Sequence, residues 1–115
     1  MLETKIISPY SATPTHHLIF DKYFALRNSN NITEILKKPG VVFGNSMYIY
    51  DGHHRTAIAR EKKADIPAYI ILSHENFLEL PKEYVDSNLT PEKYTYEEVL
   101  KILENSSLAD DEVFN

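Results

Sequence analysis

Met47-Tyr48-Ile49-Tyr50-Asp51-Gly52-His53-His54-Arg55-Thr56-Ala57-Ile58-Ala59-Arg60-Glu61-Lys62-Lys63 changes character at one glycine. Met47–Tyr50 reads as a strand, and the run from His53 to Lys63 reads as a helix. A glycine at a strand-to-helix turn lets backbone N–H groups converge on a ligand, and the helix opening there presents the positive end of its dipole. Such a position suits an anion, most often phosphate. Two imidazoles, a guanidinium and a hydroxyl fill the first turn, with a carboxylate just before it. A plain helix start asks only that Asp51 cap it. Four consecutive polar side chains exceed that need, so Gly52, His53, His54, Arg55 and Thr56 form the candidate phosphate or nucleotide site.

The flanks extend the pattern. Val41-Val42-Phe43 and Met47–Tyr50, separated by Gly44-Asn45-Ser46, predict a hairpin. Ile66–Leu72 is apolar almost throughout and predicts a buried strand, and Thr4–Ser8 predicts a first strand closed by Pro9. Residues 8–17 are too rich in Pro, Ser and Thr for a regular element. Leu18–Arg27 fits a helical face better than a strand. Asn31-Ile32-Thr33-Glu34 has capping-box spacing before a short helix ended by Pro39-Gly40. Thr95-Tyr96-Glu97-Glu98 has it again, opening a helix to Glu104. A short helix at Phe77–Leu80 precedes Pro81. The expectation is one α+β domain over residues 1–105, a mixed sheet with flanking helices and a C-terminal helical layer. Residues 106–115 are expected to be a frayed acidic tail.

Asp51-Gly52-His53-His54-Arg55, with a strand pair before it and Asp65–Ile71 after it, resembles the signature of the ParB/sulfiredoxin superfamily, the ParB-like nuclease domain. The likeness covers about residues 30–73 well, residues 4–29 loosely and nothing beyond residue 75. It implies a small α/β fold that places a His and an Arg, here His54 and Arg55, on nucleotide phosphates. His53 occupies the position of the sulfiredoxin catalytic cysteine, and this chain has no cysteine, which excludes that chemistry. ParB reads Gly-Glu-Arg-Arg in the corresponding segment, for CTP. The motif is most similar to that of free-serine kinases, which use a glutamate near the end of the first strand as base. Residues 8–17 here contain no carboxylate.

Composition narrows the function classes. At 115 residues with 43% hydrophobic content, the chain can bury a core without disulfides or a structural metal. Absence of cysteine fits a reducing cytoplasm. No run approaches the ~20 apolar residues of a membrane span, and no signal-peptide h-region opens the chain. Residues 1–73 hold nine Lys/Arg against six Asp/Glu, a balance of +3; residues 74–115 hold three against eleven, a balance of −8. An acidic half argues against nucleic acid as partner, since that affinity rests on phosphate neutralisation. A small phosphate compound matches better, with ATP, ADP and CTP all open.

Within the site, Arg55 is the candidate bidentate phosphate donor and His54 a donor or proton shuttle. Asp51 either caps the helix or, as catalytic residue, holds Mg²⁺ or takes a proton from an attacking hydroxyl. Glu34 is the nearest other acid, and its capping role accounts for it. Neither His16-His17 nor His53-His54 grips one ion by itself, because adjacent side chains diverge; structural zinc is not expected. Tyr10, Tyr48 and Tyr50 could stack on a base, yet strand propensity accounts for two of them, so a core role is the stronger reading. Arg60, Lys62 and Lys63 read as a solvated helix end.

The leading function is a nucleotide-dependent phosphotransferase or phosphohydrolase. The alternative is a non-catalytic module that senses a nucleotide or docks a partner. A nuclease ranks third, opposed by the acidic half and the lack of a carboxylate cluster. The stripe Tyr96, Val99, Leu100, Ile102, Leu103 must be buried on the chain's own sheet or across a two-fold axis, giving a monomer or weak dimer.

Overall fold

Alternation along the hairpin sets the layers. Val41, Phe43 and Tyr50 point into one core, while Val42 and Ile49 point into another, so both faces of the strands are buried. The computed structural model describes residues 1–113, the side chains of Asp110 and Asp111 apart. It contains strands β1 (Thr4–Ile7), β2 (Gly40–Phe43), β3 (Tyr48–Asp51) and β4 (Ile66–Ile71). The helices are α1 (Phe20–Arg27), α2 (Ile32–Leu36), α3 (His53–Lys62), α4 (His74–Glu79), α5 (Tyr96–Asn105) and α6 (Asp110–Val113), with a 3-10 turn at Lys82–Tyr84. The strands form one mixed sheet in the order β1-β4-β2-β3. β4 runs antiparallel to β1 and parallel to β2, and β2 runs antiparallel to β3. The fold is the small α+β class expected.

One face of the sheet packs on α3 through Ile7, Val42, Ile49, Ala59, Ile66 and Ala68. The other is covered by α4 and α5 through Val41, Phe43, Ile71, Phe77, Val99 and Leu103. A third cluster joins α1 to the outer side of α3 through Leu18, Tyr23, Ala57 and Ile58. The α5 helix is therefore held by its own sheet. Thr95 and Glu98 form the reciprocal capping box that their spacing predicts. Ile102 is the exception in the stripe, 37% exposed, so the buried face is narrower than expected.

Three other expectations are corrected. The Asn31–Glu34 box does not form: the Asn31 side chain accepts from the Ser29 hydroxyl, and Glu34 pairs with Lys37. Local competition for the Asn31 oxygen removes the cap. Arg60 is not a solvated end. Its Nε donates to the Pro9 carbonyl (2.9 Å) and its Nη2 to the Ala12 carbonyl (2.6 Å), tying the irregular segment 8–19 to α3. Tyr50 is the core residue expected, donating to the Leu89 carbonyl and accepting the Asp86 N–H. The tail packs as far as Val113, which is 5% exposed beside Leu18, and the Leu108 N–H donates to the Pro14 carbonyl. Residues 114–115 of the expected tail lie outside the described residues. Among the described residues no helix is long and apolar enough to cross a membrane.

Leu103 is 6% exposed in the α5 core. Leu103→Ala is expected to cost about 2–5 kcal/mol by transfer loss plus cavity, read as a lowered urea midpoint with unchanged slope.

Candidate functional site

The register between β2 and β3 slips at the end that carries the motif: Val41 faces Asp51 and Val42 faces Ile49, leaving Tyr50 as the extra residue. Such a bulge bends a strand and re-aims the residues that come after it. Gly52 then takes φ +102° and serves as the N-cap of α3, which starts at His53 as the sequence predicts. No side chain caps the helix, so Asp51 is not its cap. A β-carbon on Gly52 would lie 3.3 Å from the Gly40 Cα and 3.2 Å from Arg55 Nη2. The left-handed dihedral favours glycine there, and the room for a β-carbon is tight.

The uncapped turn opens into a cleft of about 490 Å³. Its floor is Asp51, Gly52, His53, His54 and Arg55. One wall is Ile19, Lys22 and Leu26 of the α1 segment, and Ile35, Lys38 and Asp86 complete the rim. Asp51 and Arg55 form an ion pair at 3.0 Å, with the Arg55 side chain 15% exposed and that of Asp51 43% exposed. Lys22 and Lys38 are exposed, and neither joins an ion pair among the described residues. Three cations thus face two carboxylates, with the helix dipole adding positive potential. The aliphatic residues give one side of the cleft an apolar wall.

The two motif histidines point their ring nitrogens at the backbone of segment 8–19. His53 Nε2 accepts the Thr15 N–H (3.2 Å), with the Thr15 hydroxyl at 3.0 Å. His54 Nε2 accepts the Ile19 N–H (3.0 Å). An accepting nitrogen must be unprotonated, so each ring carries its hydrogen on Nδ1. Burial, with the neighbouring His16 and His54, pushes His53 down to about 3. His54 is also lowered, chiefly by burial. A proton added at His53 Nε2 would face the Thr15 N–H head-on. The His16 ring lies 3.5 Å from that of His53, centroid to centroid, and its Nδ1 donates to the His17 carbonyl (2.8 Å).

The structure therefore brings Asp51, Gly52, His53, His54 and Arg55 to one cleft and leaves Thr56 outside its lining. The Thr56 hydroxyl donates to the Gly52 carbonyl (2.7 Å), back into the helix. The Nε2 atom of His54 is engaged structurally, leaving Nδ1–H as its only donor. Of the tyrosines, Tyr50 reaches the cleft, whereas the Tyr10 hydroxyl donates to the Arg60 carbonyl. Lys22, Lys38 and Asp86 were not legible in the sequence, because nothing local marks an exposed lysine as facing a distant turn. Among the described residues no group of three His, Asp or Glu side chains gathers as metal ligands do. Comparison with protein-family models, curated proteins and solved structures finds no match for this chain.

The histidine bonds and the glycine turn can each be tested. Because folding lowers the His53 pKa, the unfolded chain takes up a proton first as pH falls below about 6.5. Stability from His53 is complete above that value and declines as pH drops toward 3. Urea midpoints at pH 7 and pH 5 should show the loss, with a smaller difference in His53→Asn, and the His53 ring should remain neutral by NMR at pH 5. Gly52→Ala should cost about 1–3 kcal/mol from the left-handed backbone alone, measured by thermal unfolding.

Proposed function

We propose that this protein binds a phosphate-bearing small molecule, most simply a nucleotide, in the cleft at the start of α3. The observation that carries the reading is the uncapped first turn at Gly52, which opens between Lys22 and Lys38, two lysines outside any ion pair among the described residues. The first N–H groups of a helix have no intrahelical acceptor, and phosphate oxygens supply acceptors that match both the amides and the dipole. Arg55 adds a guanidinium oriented by Asp51, and the Ile19–Leu26 wall offers apolar surface to the non-phosphate part of a ligand. The resemblance of Asp51–Arg55 to the ParB/sulfiredoxin signature supports the same ligand class.

A catalytic step, if the protein performs one, falls to Asp51 rather than to His54. The His54 ring nitrogen that would accept a proton already holds the Ile19 N–H. Asp51 and Asp86 are the carboxylates on the cleft, and Mg²⁺ carried in by a nucleotide ordinarily takes one or two protein carboxylates plus phosphate oxygens.

Titration calorimetry with ATP, ADP and CTP should detect binding that weakens as salt is raised. Lys22→Ala and Lys38→Ala should each lower affinity about tenfold, the loss of one charge-assisted contact. They are cleaner probes than Arg55→Ala, which also frees the Asp51 charge. Absence of heat with all three nucleotides and with inorganic phosphate would overturn the proposal. Turnover of a nucleotide with Mg²⁺ or Mn²⁺, lost in Asp51→Asn, would make the protein an enzyme; retained binding without turnover would make it a sensing module.

A further inference from the structure

The edge of the sheet farthest from the cleft is open. Among the described residues β1 pairs only with β4, and Glu3, Thr4, Lys5 and Ile6 are exposed, Ile6 at 70%. The opposite edge, β3, is covered, because the Thr13 N–H donates to the Met47 carbonyl and the Ile49 N–H donates to the Thr13 carbonyl. An uncovered edge presents a row of unpaired N–H and C=O groups, a template for another strand.

Backbone direction fixes which groups those are. The Gly44 N–H donates to the Ile71 carbonyl (2.9 Å), so the polar groups of Ile71 face β2. Alternation turns those of Tyr69 and Pro67 the same way and those of Ile66 and Ala68 toward β1. Pro67, with no N–H, therefore takes nothing from the β1 ladder. Lys5 and Ile7, opposite Ala68 and Ile66, use their backbone groups on β4. Thr4 and Ile6 turn theirs outward.

The residue pattern around Thr4 is self-complementary. In an antiparallel pairing of two copies about Thr4, Thr4 meets Thr4, Leu2 meets Ile6, and Glu3 meets Lys5. Thr4 with Thr4 and Leu2 with Ile6 become the hydrogen-bonded pairs. Glu3 with Lys5 becomes the non-hydrogen-bonded pair, whose side chains approach more closely. Shifting the centre by one residue puts Lys5 on Lys5 or Glu3 on Glu3, and like charges directly opposite are destabilising. Centring on Ile6 leaves Lys5 opposite the buried Ile7. The charges thus select one register. The Leu2–Ile6 pair also covers the exposed Ile6, since Leu2 already packs on the edge of the α4–α5 core.

We infer that two copies of this chain join edge to edge through β1, centred on Thr4, to make one continuous eight-stranded sheet with a cleft at each far end. A two-fold axis closes this contact, so no further edge is left to propagate it.

Light scattering and sedimentation of the full chain over a concentration series should show twice the 13.3 kDa chain mass at high concentration. Lys5→Glu should shift the species to a monomer, and Glu3→Lys combined with Lys5→Glu should restore the dimer. Thr4→Pro should also give a monomer, because the N–H it removes faces the second copy and not β4; circular dichroism checks that it remains folded. A wild-type chain that is monomeric at every concentration overturns the inference. So does a dimer indifferent to Lys5→Glu, or one that the double variant fails to restore.

Discussion

Two imidazole lone pairs hold the irregular N-terminal segment across the start of α3, and the cleft exists because of them. The Thr15 N–H lands on His53 and the Ile19 N–H on His54, while Arg60, further along the same helix, takes the Pro9 and Ala12 carbonyls. These bonds supply partners to backbone groups of a segment whose ladder pairing is confined to Thr13. They also set where α1 begins, and with it the position of Lys22. The same first turn is thus used by its side chains, which accept hydrogen bonds from the protein, while no side chain caps its backbone N–H groups.

This arrangement gives the histidines a structural role. A ring nitrogen that accepts an amide hydrogen is of use only while neutral, and burial keeps His53 neutral well below its ordinary range. The cations that face the cleft are instead Lys22, Lys38 and Arg55. Among the described residues of the strongly acidic C-terminal half, Asp86 reaches the cleft, held at the rim by the Tyr50 hydroxyl. The α5 helix, with Glu97, Glu98 and Glu104, lies on the other face of the sheet. The carboxylates of α5 thus lie across the sheet from the cleft.

The parts of the fold that were legible in the sequence are those decided within a few residues. The Val41–Phe43 and Tyr48–Tyr50 alternation marks a hairpin because side chains on a strand must point to opposite faces. Gly52 marks the start of α3 because few other residues take a positive φ cheaply. Thr95 and Glu98 form a capping box because both bonds close inside one turn. The same spacing failed at Asn31 and Glu34, where Ser29 offered the Asn31 oxygen a nearer partner. Patterns of this kind state what is possible locally, and a competing local bond is enough to displace them.

The sequence by itself determined the α+β layering, the helix start and the gathering of Asp51 through Arg55 at one turn, since all of these come from adjacency and backbone geometry. The tertiary structure alone decided what those side chains do. Thr56 turns back to Gly52, Asp51 pairs with Arg55, and the histidines serve segment 8–19. It also supplied Lys22, Lys38 and Asp86, and buried Val113 beside Leu18. Each of these joins depends on contacts from distant parts of the chain or on a choice among several available bonds. Such choices are settled by which partner packing brings within reach, and no short-range pattern encodes that.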